Sequence, residues 1–149
     1  LVDDIFHKFR DACVENGRGG ILGEHLALGL GFYIAETQEE AVNNLRPFHD
    51  ERYKWFSPFG FVRYADEEGR VWGTPGAPAR TPRIEDGVEQ KAWICGPAED
   101  FVGHLREIEK KYPGLEHVIL HWPEGMPRDA FLDQLRLFAK EVMPHFQSS

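Results

Sequence analysis

Hydrophobic positions along this chain follow two rhythms. Residues 26–35, LALGLGFYIA, are apolar almost throughout, as are the shorter runs Trp93-Ile94-Cys95 and Val118-Ile119-Leu120. Apolar runs without polar alternation, bounded by turn residues, suit strands covered on both faces. Around them apolar residues recur every three or four positions: Val2, Phe6, Phe9 and Cys13, then Ala41, Val42 and Leu45, then Phe101, Leu105, Ile108 and Tyr112, then Phe131, Leu135, Phe138 and Val142. That spacing predicts helices with one buried stripe, the first over residues 1–16. Breakers punctuate the pattern. Gly17 and Gly19-Gly20 end the first helix, and Thr37 with Glu40 makes a capping box for the second. Pro47 breaks or kinks that second helix before a further segment through Trp55. Gly96-Pro97 turns a strand into a helix, Pro113-Gly114 ends that helix, and Pro144 closes the last one. Residues 91–144 therefore read strand, helix, strand, helix, which predicts a right-handed parallel βαβ unit.

Residues 57–89 leave this rhythm. Phe61 to Tyr64 and Arg70 to Trp72 flank Asp66-Glu67-Glu68-Gly69, the pattern of a β-hairpin with an acidic turn. The following GTPGAPARTPR is a loop by composition, and residues 84–91 predict a short helix leading to Trp93.

The 149 residues are 42% hydrophobic, ordinary for one globular domain. A formal net charge of −8 argues against nucleic acid and against anionic membranes as partners. No apolar run approaches the roughly 20 residues of a membrane span, and no signal peptide is visible. Cys13 and Cys95 fall in a helix and a strand with no disulfide framework, which predicts reduced thiols in a cytoplasmic protein.

Four stretches in fixed order carry a resemblance: LGFYIAETQEEA, ICGPAEDF, LEHVILHWPEG and LRLFAKEVMPHF. Together they resemble the C-terminal part of the bacterial luciferase-like, flavin-dependent monooxygenase family. The resemblance implies a (β/α)8 TIM barrel, which needs about 250 residues, so this chain would be a partial barrel of roughly the last three βα units. It would make the 57–89 insertion a mobile rim loop that closes over flavin. It implies a parent enzyme that uses reduced FMN and O2, with a flavin reductase as partner, to oxygenate a small organic substrate such as an aldehyde, alkane or sulfonate. The family's catalytic positions and most of its flavin contacts lie outside these stretches, so none carries over, and the chain by itself is expected to be inactive. A chain opening at Leu1, inside a helix, fits a fragment. Two other readings stand beside this one: a deazaflavin-dependent oxidoreductase that moves hydride, and a non-catalytic flavin-binding or interaction protein. A partial barrel leaves strand edges unpaired, which predicts a homo-oligomer.

Candidate site residues follow from the strand ends and the loop. His121 and Trp122 stand where a strand meets the expected functional rim and would contact an isoalloxazine ring or a substrate, and Trp93 at the start of the other strand is a candidate of the same kind. Arg80 and Arg83 sit in or beside the insertion and would meet an anionic group. Against each stands plain packing for the aromatics and solvation for the arginines. No metal is expected. His117 and His121 bracket a strand, about 13 Å apart at 3.3 Å per residue, too far to share one ion. Cys95 reads as a buried, inert thiol. Glu99 and Asp100 in the first turn after Gly96-Pro97 would repel a phosphate there.

Overall fold

The computed structural model describes residues 2–56, 59 and 81–146. The elements run α1 (Val2–Glu15), β1 (Ala27–Ile34), α2 (Gln38–Phe56), α3 (Ile84–Glu89), β2 (Trp93–Gly96), α4 (Ala98–Lys111), β3 (His117–Leu120) and α5 (Arg128–Leu137). A π-helical turn at Phe138–Val142 and a 3-10 turn at Met143–His145 extend α5. The hairpin expected at 61–72, the Pro-rich run through Arg80 and most of the 57–89 insertion lie outside the described residues.

Local chemistry explains most boundaries. The Thr37 hydroxyl accepts the Glu40 N–H at 3.1 Å, the N-cap bond expected from the capping pattern. Pro47 lies inside a helix that continues to Phe56. At the end of α3, Lys91 N–H donates to Val88 C=O and Ala92 N–H to Gly87 C=O, a Schellman closure. Glycine usually fills its left-handed position; here it is Lys91, at φ 54°.

The three strands are parallel, in the order β2-β1-β3. β2 pairs with the second half of β1, Gly31 to Ile34 against Trp93 to Gly96. β3 pairs with the first half, Ala27 to Leu30 against His117 to Leu120. Alternate side chains of β1 enter different cores. Leu30, Phe32 and Ile34 join residues of α4 and the C-terminal turns, including Phe101, Ile108 and Val142. On the opposite face Tyr33 meets Ala41 and Leu45 of α2, Ile84 of α3, and Trp93 and Cys95 of β2.

This arrangement corrects three expectations. The fold is not a partial TIM barrel. In a barrel each βα step adds a strand beside the last and every helix lies outside; here β1 separates β2 from β3, and α2 and α4 cover opposite faces of an open sheet. For the same reason β2 and β3 are not neighbours, although the helix between them formed as expected. Nor is β3 buried on both faces: Val118 is 39% and Ile119 53% exposed.

Because each short strand covers only half of β1, its other half-edges need partners. On the β3 side, Gln134 of α5 stands in for a strand. Ile34 N–H donates to Gln134 Oε1 at 2.6 Å, and Gln134 Nε2 donates to the Ile34 carbonyl at 3.0 Å, both buried. A buried backbone group without a partner is destabilising by 1–3 kcal/mol, so Gln134→Ala should lower unfolding free energy by about 2–4 kcal/mol in urea titration. A loss below half a kcal/mol would mean that the two bonds contribute little.

Candidate functional site

On the β2 side the first half of β1 stays bare, and a cleft of about 710 Å3 opens there. Ligand sites typically enclose 300–1,000 Å3. Its back is β1 from Leu28 to Gly31, and Ala92 and Trp93 close one end. Arg52 and Tyr53 of α2 form one wall, while His104 and Ile108 of α4 and Tyr112 at its C-cap form the other. His121, just past β3, reaches in as well.

Two glycines shape the α2 side of this site. Gly31 stands opposite Trp93 in the ladder. A Cβ at Gly31 would come within 2.2 Å of the Trp93 ring, and one at Gly29 within 2.5 Å of His121 Nε2. The indole and the imidazole thus occupy the space that side chains of β1 would otherwise fill. Behind the indole, the buried His49 ring meets Trp93 edge-on at 5.3 Å and lies 4.4 Å from Tyr53. His49 Nδ1 donates to Asp50 Oδ1 at 2.8 Å, and the same oxygen accepts the Ile84 N–H at 3.1 Å.

Charges at the rim are paired. Lys91 Nζ lies 2.8 Å from Glu107 Oε2, Lys111 Nζ 3.1 Å from Asp3 Oδ1, and Arg52 3.2 Å from Glu124. The hydrogen bond from Lys91 holds the Glu107 carboxyl below its usual range, and that from Lys111 does the same for Asp3. Burial lowers the pKa of His49, His104 and His121, because each imidazolium would lose hydration. His104 Nδ1 is buried with no hydrogen-bond partner among the described residues. Burial also pushes the Cys95 thiol up to about 12, so it is protonated at neutral pH and no nucleophile.

Of the five candidates read from sequence, the structure brings two together: Trp93 and His121. Trp122 lies outside the cleft, stacked 5.1 Å from Phe131 and donating its indole N–H to Met126 C=O, so it packs against the last helix. Arg83 precedes α3, where its N–H donates to Asp86. Arg80 is outside the described residues. Sequence reasoning missed Gly29, Gly31, Tyr53 and Lys91. The LGLG run inside a strand was the available signal for the first two, since glycine there marks close approach of another group. Among the described residues no three His, Cys, Asp or Glu side chains converge in a way that could hold a metal ion, and no helix is long and apolar enough to cross a membrane.

No family model matches the chain. It is similar to 4-hydroxyprotoasukamycin monooxygenase of Streptomyces nodosus subsp. asukaensis, with 23% identity over 154 residues, covering 99% of this chain and 38% of that protein. Among solved structures it matches monooxygenase RslO1 from Streptomyces bottropensis with a TM-score of 0.65 and 17% identity, over 98% of this chain and 38% of that one. At that identity the second likeness concerns the fold alone. The chain therefore spans 38% of the length of either relative. These findings overturn the resemblance to the luciferase-like family: the relatives are monooxygenases not marked as luciferase-like, and the sheet lacks the barrel order that family implies.

The two glycines should respond differently to alanine. Gly31→Ala forces a buried indole to move and should destabilise by roughly 1–3 kcal/mol, with a shift in tryptophan emission. Gly29→Ala displaces a half-exposed imidazole and should fall within about 1 kcal/mol of the parent, since alanine also regains strand propensity. Equal losses in urea titration would contradict this packing. The three imidazoles set a pH dependence. Their folded pKa values lie below the ordinary 6.5, so the unfolded chain takes up protons first as pH falls. Their contribution is complete above about pH 6.5 and declines below it. The urea midpoint should therefore drop between pH 7.5 and 5.5, and His49→Gln should flatten that drop.

Proposed function

We propose that this chain supplies a binding cleft to a monooxygenase that acts with O2 on a small organic molecule, with reduced FMN as electron source. The observation that carries the reading is the extent of the sequence match: it takes in 99% of the chain, and so the residues that build the cleft, and the matched protein is a monooxygenase. The cleft supports it physically. It is large enough for a ring system and walled by Trp93, Tyr53 and Tyr112, and no metal-ligating cluster is found among the described residues.

The residues present suit the ring end of a flavin better than its phosphate end. Aromatic walls hold a planar ring, whereas Lys91 and Lys111 at the rim are already held by Glu107 and Asp3. Reduced flavin supplies two electrons, which allow O2 to deliver one oxygen atom to substrate and the other to water. The chain's own part is to orient and to keep water out. Trp93 fixes one end of the slot, and His121 presents an imidazole that burial keeps neutral at pH 7, able to accept or donate one hydrogen bond.

Titration with FMN tests this directly. Trp93 emission should be quenched with saturation in the micromolar range, and Trp93→Phe should weaken binding at least tenfold while circular dichroism stays unchanged. No binding at millimolar FMN, or equal binding by the variant, would overturn the flavin assignment at this cleft.

A further inference from the structure

We infer that the bare edge of β1 at Gly29 docks a neutral planar ring carrying a secondary lactam or imide, through two hydrogen bonds to the backbone of that one residue. The inference rests on the reading of the cleft as a ligand site and names the chemistry it selects.

In a parallel ladder the N–H and C=O of one residue point to the same side, and successive residues alternate. Gly31 N–H donates to Ala92 C=O and Ala35 N–H to Gly96 C=O, so odd-numbered residues of β1 face β2. The Leu30 carbonyl accepts from His121 N–H, and Gln134 serves Ile34, so even-numbered residues face the other way. Both backbone groups of Gly29 therefore face the β2 side. β2 does not reach them. The Ala92 N–H that would continue the ladder is given to Gly87 C=O, and Lys91, at φ 54°, turns the chain away. Gly29 is exposed and lines the cleft.

Three features choose the occupant. One extended residue offers a donor and an acceptor side by side, which the cis N–H and C=O edge of a lactam or imide meets with two hydrogen bonds. A ring docked so continues the plane of the sheet, with Tyr53 and Arg52 of α2 on one face and Ile108 and His104 of α4 on the other. That is a flat slot, and only Gly29 of the odd-numbered residues before Gly31 lines it, so an extended peptide would find a single rung. Finally, the rim ammonium groups are matched by Glu107 and Asp3, which favours a neutral ring over an anion.

The test compares pairs that differ by one N-methyl group: 2-quinolone with N-methyl-2-quinolone, and lumiflavin with its N3-methyl form. Binding is read by tryptophan quenching and by the Gly29 amide signal in 15N NMR. A preference of at least tenfold for the N–H form, with a downfield shift of the Gly29 amide, is the expected result. If the preference appears in the flavin pair, the docked ring is the cofactor's; if only in the quinolone pair, it is the substrate's; either supports the inference. Equal binding of both members of each pair overturns it, as does a blocked tripeptide that competes better than 2-quinolone. Should FMN itself bind while N-methylation makes no difference, the inference fails and the cleft assignment stands. Should neither flavin nor quinolone bind, both fail.

Discussion

One strand serves as hydrogen-bonding partner to two shorter ones, and the rest of the structure follows from the mismatch in length. β1 has eight residues, while β2 and β3 have four each and pair with opposite halves of it. Two half-edges are left over, and a backbone N–H or C=O away from water must find a partner. The two are handled differently. At Ile34, deep between the cores, the carboxamide of Gln134 supplies both a donor and an acceptor, so the edge is sealed by a side chain. At Gly29 nothing of β2 arrives and solvent can enter. The first solution stabilises the fold, and the second leaves a place for something else to bind.

The side-chain pattern of β1 has the same double character. Its even positions carry Leu28, Leu30, Phe32 and Ile34, bulk that fills the core shared with α4 and the C-terminal turns. Phe32 alone meets Phe101, Phe131 and Phe138 edge-on. Its odd positions give up that bulk at Gly29 and Gly31 so that rings from neighbouring strands can lie across it. The volume is not lost; it moves from the central strand to Trp93 and His121. A ring anchored across a backbone has less freedom than one at a loop tip, which is what a stacking or orienting wall requires.

Periodicity made the elements legible, but not their neighbours. The runs around Phe32, Ile94 and Ile119 are apolar on every position, and such runs state burial without stating order or register. Placing β1 between its partners was therefore open, and the family resemblance filled the gap with a barrel. Gln134 gave no warning either: on the helical pattern it reads as one more polar residue, and its role depends on an edge that exists only once β3 stops at Leu120. Val118 and Ile119 are exposed because the faces of β3 lack the cover that buries β2, an edge strand as well. The site was half legible. Trp93 and His121 stood out as large groups at strand ends. Tyr53 sat in a helix with no distinguishing spacing, and Lys91 held a position where chemistry calls for glycine, something only backbone angles reveal.

Lys91 is also where local strain and the cleft meet. A left-handed conformation is unfavourable for a residue with a Cβ by roughly 1–2 kcal/mol, and glycine at this closure would remove that cost. Its side chain offers a reason to keep it: the ammonium reaches Glu107 across the mouth of the cleft and neutralises a carboxylate that would otherwise face any ligand. The same neutrality recurs inside. Burial favours uncharged imidazoles at His104 and His121. A cleft so arranged holds little net charge where a ligand would sit, and its polar contacts come from backbone and imidazole. That environment suits weakly polar rings more than phosphates and carboxylates, whose charge would meet rim ammonium groups already matched by carboxylates.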